Sequence, residues 1–467
     1  MKKPALDILS ITGGDVGSRA IGFLVTLYLA RVLAPSSFGM ISIGLAVLGY
    51  LSLLGSPGIQ MVETRNAAAT EGGMTERAGS ILSLRLLLAP VLISLACVVL
   101  LVSGVPGDSR LVIGLYCLSL LPMALSLDWL FQGKEDFRRV MVSRLLTAVV
   151  YAVLVILLVR SASAVAFAPV AFLGGNAAAV VYLGAGYVRR YGRPALRWHP
   201  VAWFRLLGEN APAGLAMLLA QSVANLPPIA IGIFLSNAEA GVFSAGMKLI
   251  FTLLIVDRTL NALFLPVATR FAVGREGEFP ALLSAALSAI MVTMVPALIA
   301  AGIVARPVVA LLFGAGYEGA VPVVRILSAF VFLTLLNSLF ICTLMAFART
   351  RAYAMIVGGG AAFLCVAVIV GTALAGTAGA AWGVVAGEAV VLASLVIAAG
   401  RLTALPPSRI VIKPLVAGAA MTGASALLAD QSPWLSACAC MALFALVLFA
   451  IKGIPRTELR YLREKLI

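Results

Sequence analysis

Apolar residues along this chain gather into long runs, and short clusters of Gly, Pro, Ser and charged residues separate them. The runs lie near 11–33, 38–62, 80–103, 110–131, 140–159 and 165–187, then near 211–236, 241–268, 280–304, 322–347, 353–374 and 378–400, with a last pair near 410–428 and 433–451. None keeps the two-residue alternation of a barrel strand. At ~1.5 Å per residue each can cross ~30 Å of hydrocarbon. Away from water, peptide groups are satisfied only within a helix or a closed barrel. The pattern therefore predicts about 14 transmembrane helices in an all-α polytopic membrane protein.

Composition agrees. The 467 residues are 62% hydrophobic and 11% charged, against roughly 25% charged in soluble domains. The net charge of +15, from 34 Lys and Arg against 19 Asp and Glu, would fit nucleic acid if it lined one face. It sits instead between the apolar runs, so no nucleic-acid partner is expected. Of the 34 cations, 25 fall in one alternating set of loops and tails and only Arg110, Arg160, Arg306 and Arg325 in the other. That asymmetry predicts both termini in the cytoplasm. Asp15 and Arg19 interrupt the first run too early for it to be a cleaved signal peptide. Cys97, Cys117, Cys342, Cys365, Cys438 and Cys440 lie inside apolar runs without a C-x-x-C pair, which gives neither a disulfide framework nor a zinc site.

The longest basic linker divides the first six runs from the rest. The expected organisation is an N-lobe at 1–190, a linker at 191–210, a C-lobe at 211–400, and two further spans with a basic cytoplasmic tail at 401–467. Sliding the chain on itself by 202 places Leu33 to Gly44 over Leu235 to Gly246, with Gly39 over Gly241 and Ser42 over Ser244. The shift moves span 1 onto span 7, so the repeats share an orientation, and two six-helix lobes in pseudo-twofold arrangement about the membrane normal, with a central cavity, are predicted. The alternative is independent small-residue turns.

An ionisable group near the bilayer centre costs at least ~2.5–3.5 kcal/mol unless it faces protein or water. Asp15 and Arg19 stand at i, i+4 on span 1, either as a cavity feature or as an internal lock. Span 8 carries Lys248, Asp257 and Arg258, and nine residues separate Lys248 from Asp257, which sets them on opposite helix faces; which one meets the cavity stays open. Arg85 and Asp128 lie closer to an interface. Arg19, Lys248, Arg258 and Arg85 have the charge that suits an anionic head group such as a pyrophosphate, which takes forked hydrogen bonds from Arg and a point charge from Lys. Gln221 and Asn225, one turn apart, precede Pro227-Pro228, a pair expected to break the helix and free carbonyls for a ligand. Asp15, Asp257 and Glu388 are the carboxylates able to carry a coupling H+ or Na+, or simply to neutralise a cation. Gly379, Gly383 and Gly387 beside Glu388 form a small-residue stripe that reads first as helix packing.

Other motifs fall away. Gly314-Ala-Gly316-Tyr-Glu-Gly319 matches the letters of a dinucleotide fingerprint but lacks the strand before it and the acidic residue about 20 positions later. No G-x-x-x-x-G-K-[ST] occurs, and His199, the only histidine, lies in the basic linker. No cofactor is therefore expected. The tail from Glu458 to Leu466 spaces leucines among cations, as a surface-lying helix does.

Five segments in order resemble one family: Leu29-Ala-Arg-Val-Leu-Ala-Pro-Ser-Ser-Phe-Gly39, Glu63-Thr-Arg65-Asn-Ala, Asp128-Trp-Leu-Phe-Gln-Gly133-Lys-Glu135, Ser244-Ala-Gly-Met-Lys248 and Leu311-Leu-Phe-Gly-Ala-Gly-Tyr317. Over nearly the whole chain it is similar to the polysaccharide transporters of the O-antigen flippase (Wzx) type, within the multidrug/oligosaccharidyl-lipid/polysaccharide exporter superfamily. The resemblance implies a bacterial inner-membrane carrier, not an enzyme, that moves an undecaprenyl-pyrophosphate-linked oligosaccharide between leaflets by ion-driven alternating access. It also implies a polysaccharide polymerase and chain-length proteins as partners. Lys248 and Arg19 would then meet the head group, with Asp257 and Glu388 coupling. Alternatives are a lipid II flippase of the MurJ type, a multidrug cation antiporter, which the deep cations disfavour, and a polytopic glycan polymerase or ligase, which needs a longer outer loop than any present.

Overall fold

A computed structural model describes residues 3–69, 74–196, 198–428 and 430–453. Among the described residues the protein is all-helical, 87% helix. The basic tail from Glu458 to Leu466 lies outside the described residues. The chain divides into two compact units, Met1–Gly241 and Val242–Ile467.

The first unit contains α1 (Lys3–Val32), α2 (Pro35–Leu54), the short α3 (Ile59–Ala69), α4 (Met74–Val102), α5 (Gly107–Leu118), α6 (Leu120–Ala124), α7 (Asp128–Gly133), α8 (Phe137–Leu158), α9 (Phe167–Tyr191) and α10 (Pro200–Phe234). Helix α11 (Asn237–Leu253) begins in it and leads into the second unit. That unit holds α12 (Ile255–Gly274), α13 (Phe279–Ile303), the short α14 (Ala305–Phe313), α15 (Ala320–Ala346), α16 (Thr350–Gly400), α17 (Arg409–Leu427) and α18 (Pro433–Ala450).

Among the described residues, 11 helical stretches are long and apolar enough to cross a membrane. The difference from the fourteen predicted runs has identifiable causes. Helix α1 carries Asp15, Arg19 and Arg31, more charge than an apolar span admits. The run at 110–131 is broken at Ser119 and again after Leu125, giving the three pieces α5, α6 and α7. The runs at 353–374 and 378–400 merge into α16, which folds back on itself where Ala375 and Gly376 leave helical geometry. Gly376 takes φ +62°, a left-handed value that glycine adopts without a Cβ clash.

Both arms of that hairpin rest on the small-residue stripe. A Cβ at Gly379 would run into the Gly371 carbonyl, one at Gly383 would strike Ala367 and Val368, and one at Gly387 would strike Leu364. The packing reading of the stripe is therefore the observed one.

Helix α10 differs from expectation. It runs unbroken through Pro212, Pro227 and Pro228. Each proline removes one ladder hydrogen bond, but leaving the helix in an apolar medium would strand many more peptide groups. Along its length α10 packs on α2: Tyr50 donates to Ser222 Oγ at 3.0 Å, Gly49 leaves room for Asn225, and Gly232 for Ile43. This packing places α10 in the first compact unit, so the division falls later than the basic linker. The recurring turn found by the 202-residue shift also makes a reciprocal contact. A Cβ at Gly39 would meet Asn237 and Gly241, and one at Gly241 would meet Pro35 and Gly39.

A buried core at one end of the first unit joins Ile59 and Ala67 of α3, Ile81 and Leu84 of α4, and Trp129, Leu130 and Phe131 of α7 to Leu183, Tyr187 and Trp203. Glu63, fully buried, accepts from Arg77 Nε at 2.6 Å and Nη2 at 3.0 Å, which ties α3 to the first turn of α4. The segment from Asp128 to Gly133 is thus an anchored short helix, and it fixes the first residue of α7 beside a cavity.

Candidate functional site

Within the first unit a cavity of about 260 Å3 opens between the C-terminal end of α2, the middle of α4 and the helices α6 to α9. Ser52, Gln60, Arg85, Asp128, Arg144 and Asn176 supply its polar wall. Arg85, on α4, is 4% exposed. Its Nη1 donates to the Ser126 carbonyl at 3.2 Å, where the chain leaves α6. Its Nε is buried without a hydrogen-bond partner, as is Oδ1 of Asp128 at the start of α7. Buried polar atoms are nearly always satisfied, so two orphans of opposite sign on one cavity wall mark a place for a polar ligand or water.

Arg144, on α8, extends this wall. Its Nη1 lies 3.1 Å from Asp15 Oδ1, and Asp15 Oδ2 meets Arg19 Nε at 2.8 Å. The i, i+4 pair foreseen on span 1 is formed, and it continues into the cavity as Arg19–Asp15–Arg144. With Arg85 and Asp128 added, three guanidinium groups face two carboxylates, leaving one positive charge. Arg19 is thereby already matched, with its side chain 57% exposed. Arg144 was not singled out as a site residue from the sequence. The signal was its place one turn inside an apolar run.

Gln221 is exposed, whereas Asn225, one turn on, presses against Gly49 with its Nδ2 buried and unpartnered.

The second unit holds the remaining candidates. Lys248, on α11, is exposed and makes no ion pair among the described residues. The hydrogen-bond ladder is interrupted at Leu254, between Lys248 and Asp257, while the backbone there stays in the right-handed helical region. Arg258 is exposed beside Asp257. Asp257 Oδ1 accepts from Ser338 Oγ, and from Asn261 Nδ2 at 3.3 Å. Asn261 Nδ2 also reaches Ser338 Oγ at 3.0 Å, and Cys342 Sγ donates to Asn261 Oδ1 at 3.2 Å. One residue before Ser338, Asn337 donates to the carboxylate and the carbonyl of Glu388 on the second arm of α16. The structure therefore joins Asp257 and Glu388 through consecutive residues of α15. Asn261, Asn337, Ser338 and Cys342 were not singled out from sequence, although Asp257/Asn261 and Ser338/Cys342 are both i, i+4 polar pairs on apolar helices.

No group of three His, Cys, Asp or Glu side chains able to hold a metal occurs among the described residues. All six cysteines are free thiols. The Gly314 segment is a tight turn after α14, with Gly314 at φ +95°.

The family model described as "Polysaccharide biosynthesis protein" matches residues 5–272. No curated protein matches significantly in sequence. Among solved structures, the lipid II flippase MurJ in an inward closed conformation is similar over 97% of this chain and 99% of its own, at 11% identity and a TM-score of 0.74. An inward-facing multidrug resistance MATE family transporter of the MOP superfamily is similar over 82% and 94%, at 13% identity and 0.66. A eukaryotic MATE transporter, AtDTX14, is similar over 95% and 99%, at 14% identity and 0.52. At these identities the likeness is one of fold.

Proposed function

The chain belongs to the polysaccharide biosynthesis protein family, and from that premise we propose that it is a flippase for an undecaprenyl-pyrophosphate-linked oligosaccharide, an O-antigen or exopolysaccharide repeat unit. It carries this substrate from the cytoplasmic to the periplasmic leaflet of a bacterial inner membrane, with both termini cytoplasmic. The observation that carries the reading is the cavity of the first unit, where Arg85 and Arg144 outweigh Asp128 and Arg85 keeps an unused Nε–H.

A diphosphate group offers several acceptor oxygens at short spacing. Two guanidinium groups on α4 and α8 match it with charge-assisted hydrogen bonds, which are roughly twice as strong as neutral ones. Asn176, Gln60 and Ser52 on the same wall suit glycan hydroxyls. An organic cation would meet the wrong sign, which weighs against drug export. Lys248 and Arg258 are assigned to the head group at another stage of the cycle, with Gln221 and Asn225 as polar contacts. The cycle is alternating access driven by an ion gradient, in which Asp257 and Glu388 take the coupling ion and Asp15 tunes Arg144. A polymerase and chain-length proteins would receive the product.

The test is deletion of the gene followed by leaflet-resolved assay of lipid-linked repeat units. Accumulation on the cytoplasmic side, reversed by the wild-type chain, is expected. Unchanged leaflet distribution refutes the proposal, and rescue of a lipid II flippase depletion strain would replace the substrate.

A further inference from the structure

The linker between α9 and α10 is held against the rest of the first unit at two points. A Cβ at Gly79 of α4 would meet the Ala195 carbonyl, so the linker backbone presses on that helix. Further on, Trp203 donates its indole N–H to the Ser80 carbonyl at 3.1 Å and is buried among residues of α4, α7 and α9. Between and beside those points the chain faces outward: Trp198, Val201 and Phe204 are 68%, 83% and 76% exposed. The Trp198 ring stands edge-on to Trp203 with centroids 4.8 Å apart, which holds it beside the first turn of α10.

Continuity and charge identify what covers this face. Helix α10 starts at Pro200, but its apolar membrane-crossing stretch starts only at Gly214. At about 100° per residue, Val201, Phe204 and the exposed Leu215 fall within about 60° of one another. The outward stripe of the first turn therefore runs on into the exposed apolar flank of the span. That flank meets acyl chains, and an amphipathic ring such as that of Trp198 favours the interface at its edge. The charge around the stripe is positive. Arg189 and Arg193, at the end of α9 and just after it, are exposed and unpaired among the described residues. Arg190 lies 3.5 Å from Asp136, which joins them to the turn between α7 and α8, where Lys134, Arg138 and Arg139 outnumber Glu135 and Asp136. Arg205 is already matched by Glu209 at 2.9 Å.

We propose that this face is a binding site for an anionic phospholipid of the leaflet on the linker's side, with Arg189 and Arg193 on the headgroup phosphate and Trp198, Val201 and Phe204 against the glycerol and the upper acyl chain. A phosphodiester takes charge-assisted hydrogen bonds from guanidinium groups, and clusters of Lys and Arg at a membrane surface gather anionic lipid. A soluble acidic partner would match the charge but would leave uncovered the apolar stripe that leads into the bilayer. None of these residues lines the cavity of the first unit, and the site stands whether or not the flippase reading does.

The experiment is native mass spectrometry of the full chain in detergent, titrated with dioleoyl phosphatidylglycerol and, in parallel, with the neutral dioleoyl phosphatidylcholine. Wild type should bind the anionic lipid more tightly, a comparison that needs no variant. Each cation at such a surface contributes about a fivefold factor, so Arg189→Gln with Arg193→Gln should lower phosphatidylglycerol affinity by roughly 25-fold and leave phosphatidylcholine unchanged. Trp198→Ser with Phe204→Ser should weaken both lipids alike. Arg401→Gln with Arg409→Gln, at two exposed cations flanking the loop between α16 and α17, removes the same charge and should keep the preference. Equal affinity of wild type for the two lipids overturns the proposal, as does an undiminished preference in R189Q/R193Q or unchanged binding of both lipids in W198S/F204S. An equal loss in R401Q/R409Q overturns it by reducing the effect to net charge. Displacement of the lipid by glycerol phosphate at matched concentration overturns it by making the site one for a free phosphate.

Discussion

Replacing Arg85 by Met separates two roles of the first-unit cavity. Arg85 is buried, spends one hydrogen bond on Ser126 and stands beside Asp128. Removing the guanidinium leaves the Asp128 carboxylate with Arg144 as its nearest cation. Arg85 and Asp128 share a cavity wall without forming an ion pair, so the expected cost is that of the charged hydrogen bond to the Ser126 carbonyl and a longer-range attraction, about 1.5–3 kcal/mol. For the substrate, losing a hydrogen bond between charged groups removes about 1.5–3 kcal/mol, a drop of roughly 10- to 150-fold in affinity. The assay pairs thermal unfolding in detergent with export in a deletion strain. Asp128→Asn added to Arg85→Met should recover part of the stability and none of the export, because it removes the stranded charge without restoring the donor. Wild-type export by R85M, or recovery of export in the double variant, would refute the assignment of Arg85 to the substrate.

Five further variants probe other parts of the molecule. Lys248→Gln should abolish export with little change in unfolding temperature, since the side chain is exposed and unpaired among the described residues; Arg19→Gln should reduce export less, because Arg19 is already matched by Asp15. Gly383→Val should prevent the α16 hairpin from closing, read as loss of folded protein after membrane extraction, because its side chain would overlap Ala367 and Val368. Glu63→Gln should destabilise the first unit by about 2–4 kcal/mol, discounted from the fully buried case because Arg77 is half exposed. Trp203→Phe should cost about 1 kcal/mol, the worth of its 3.1 Å bond to the Ser80 carbonyl.

The positions of most helices, the small-residue stripe and the Asp15–Arg19 pair could be read from the sequence because each depends on local spacing. An apolar run long enough to cross a bilayer has the helix as its satisfied state whatever surrounds it, and i, i+4 neighbours meet on any helix. The same local logic misread Pro227-Pro228. Proline weakens a helix by removing single bonds, and only the surroundings, here an apolar medium and the flank of α2, decide whether the helix survives that loss.

The pairings that give the polar groups their chemistry depend on tertiary structure. Arg144 reaches Asp15 across 129 residues of sequence, Ser338 reaches Asp257 across 81, and Asn337 reaches Glu388 across 51. Periodicity fixes which side of its own helix a residue occupies but carries no information about the helix that packs there. The sequence thus determined that charges stand inside an apolar scaffold. Packing alone decided which of them are matched, which share a network, and which are left with an unused donor or acceptor.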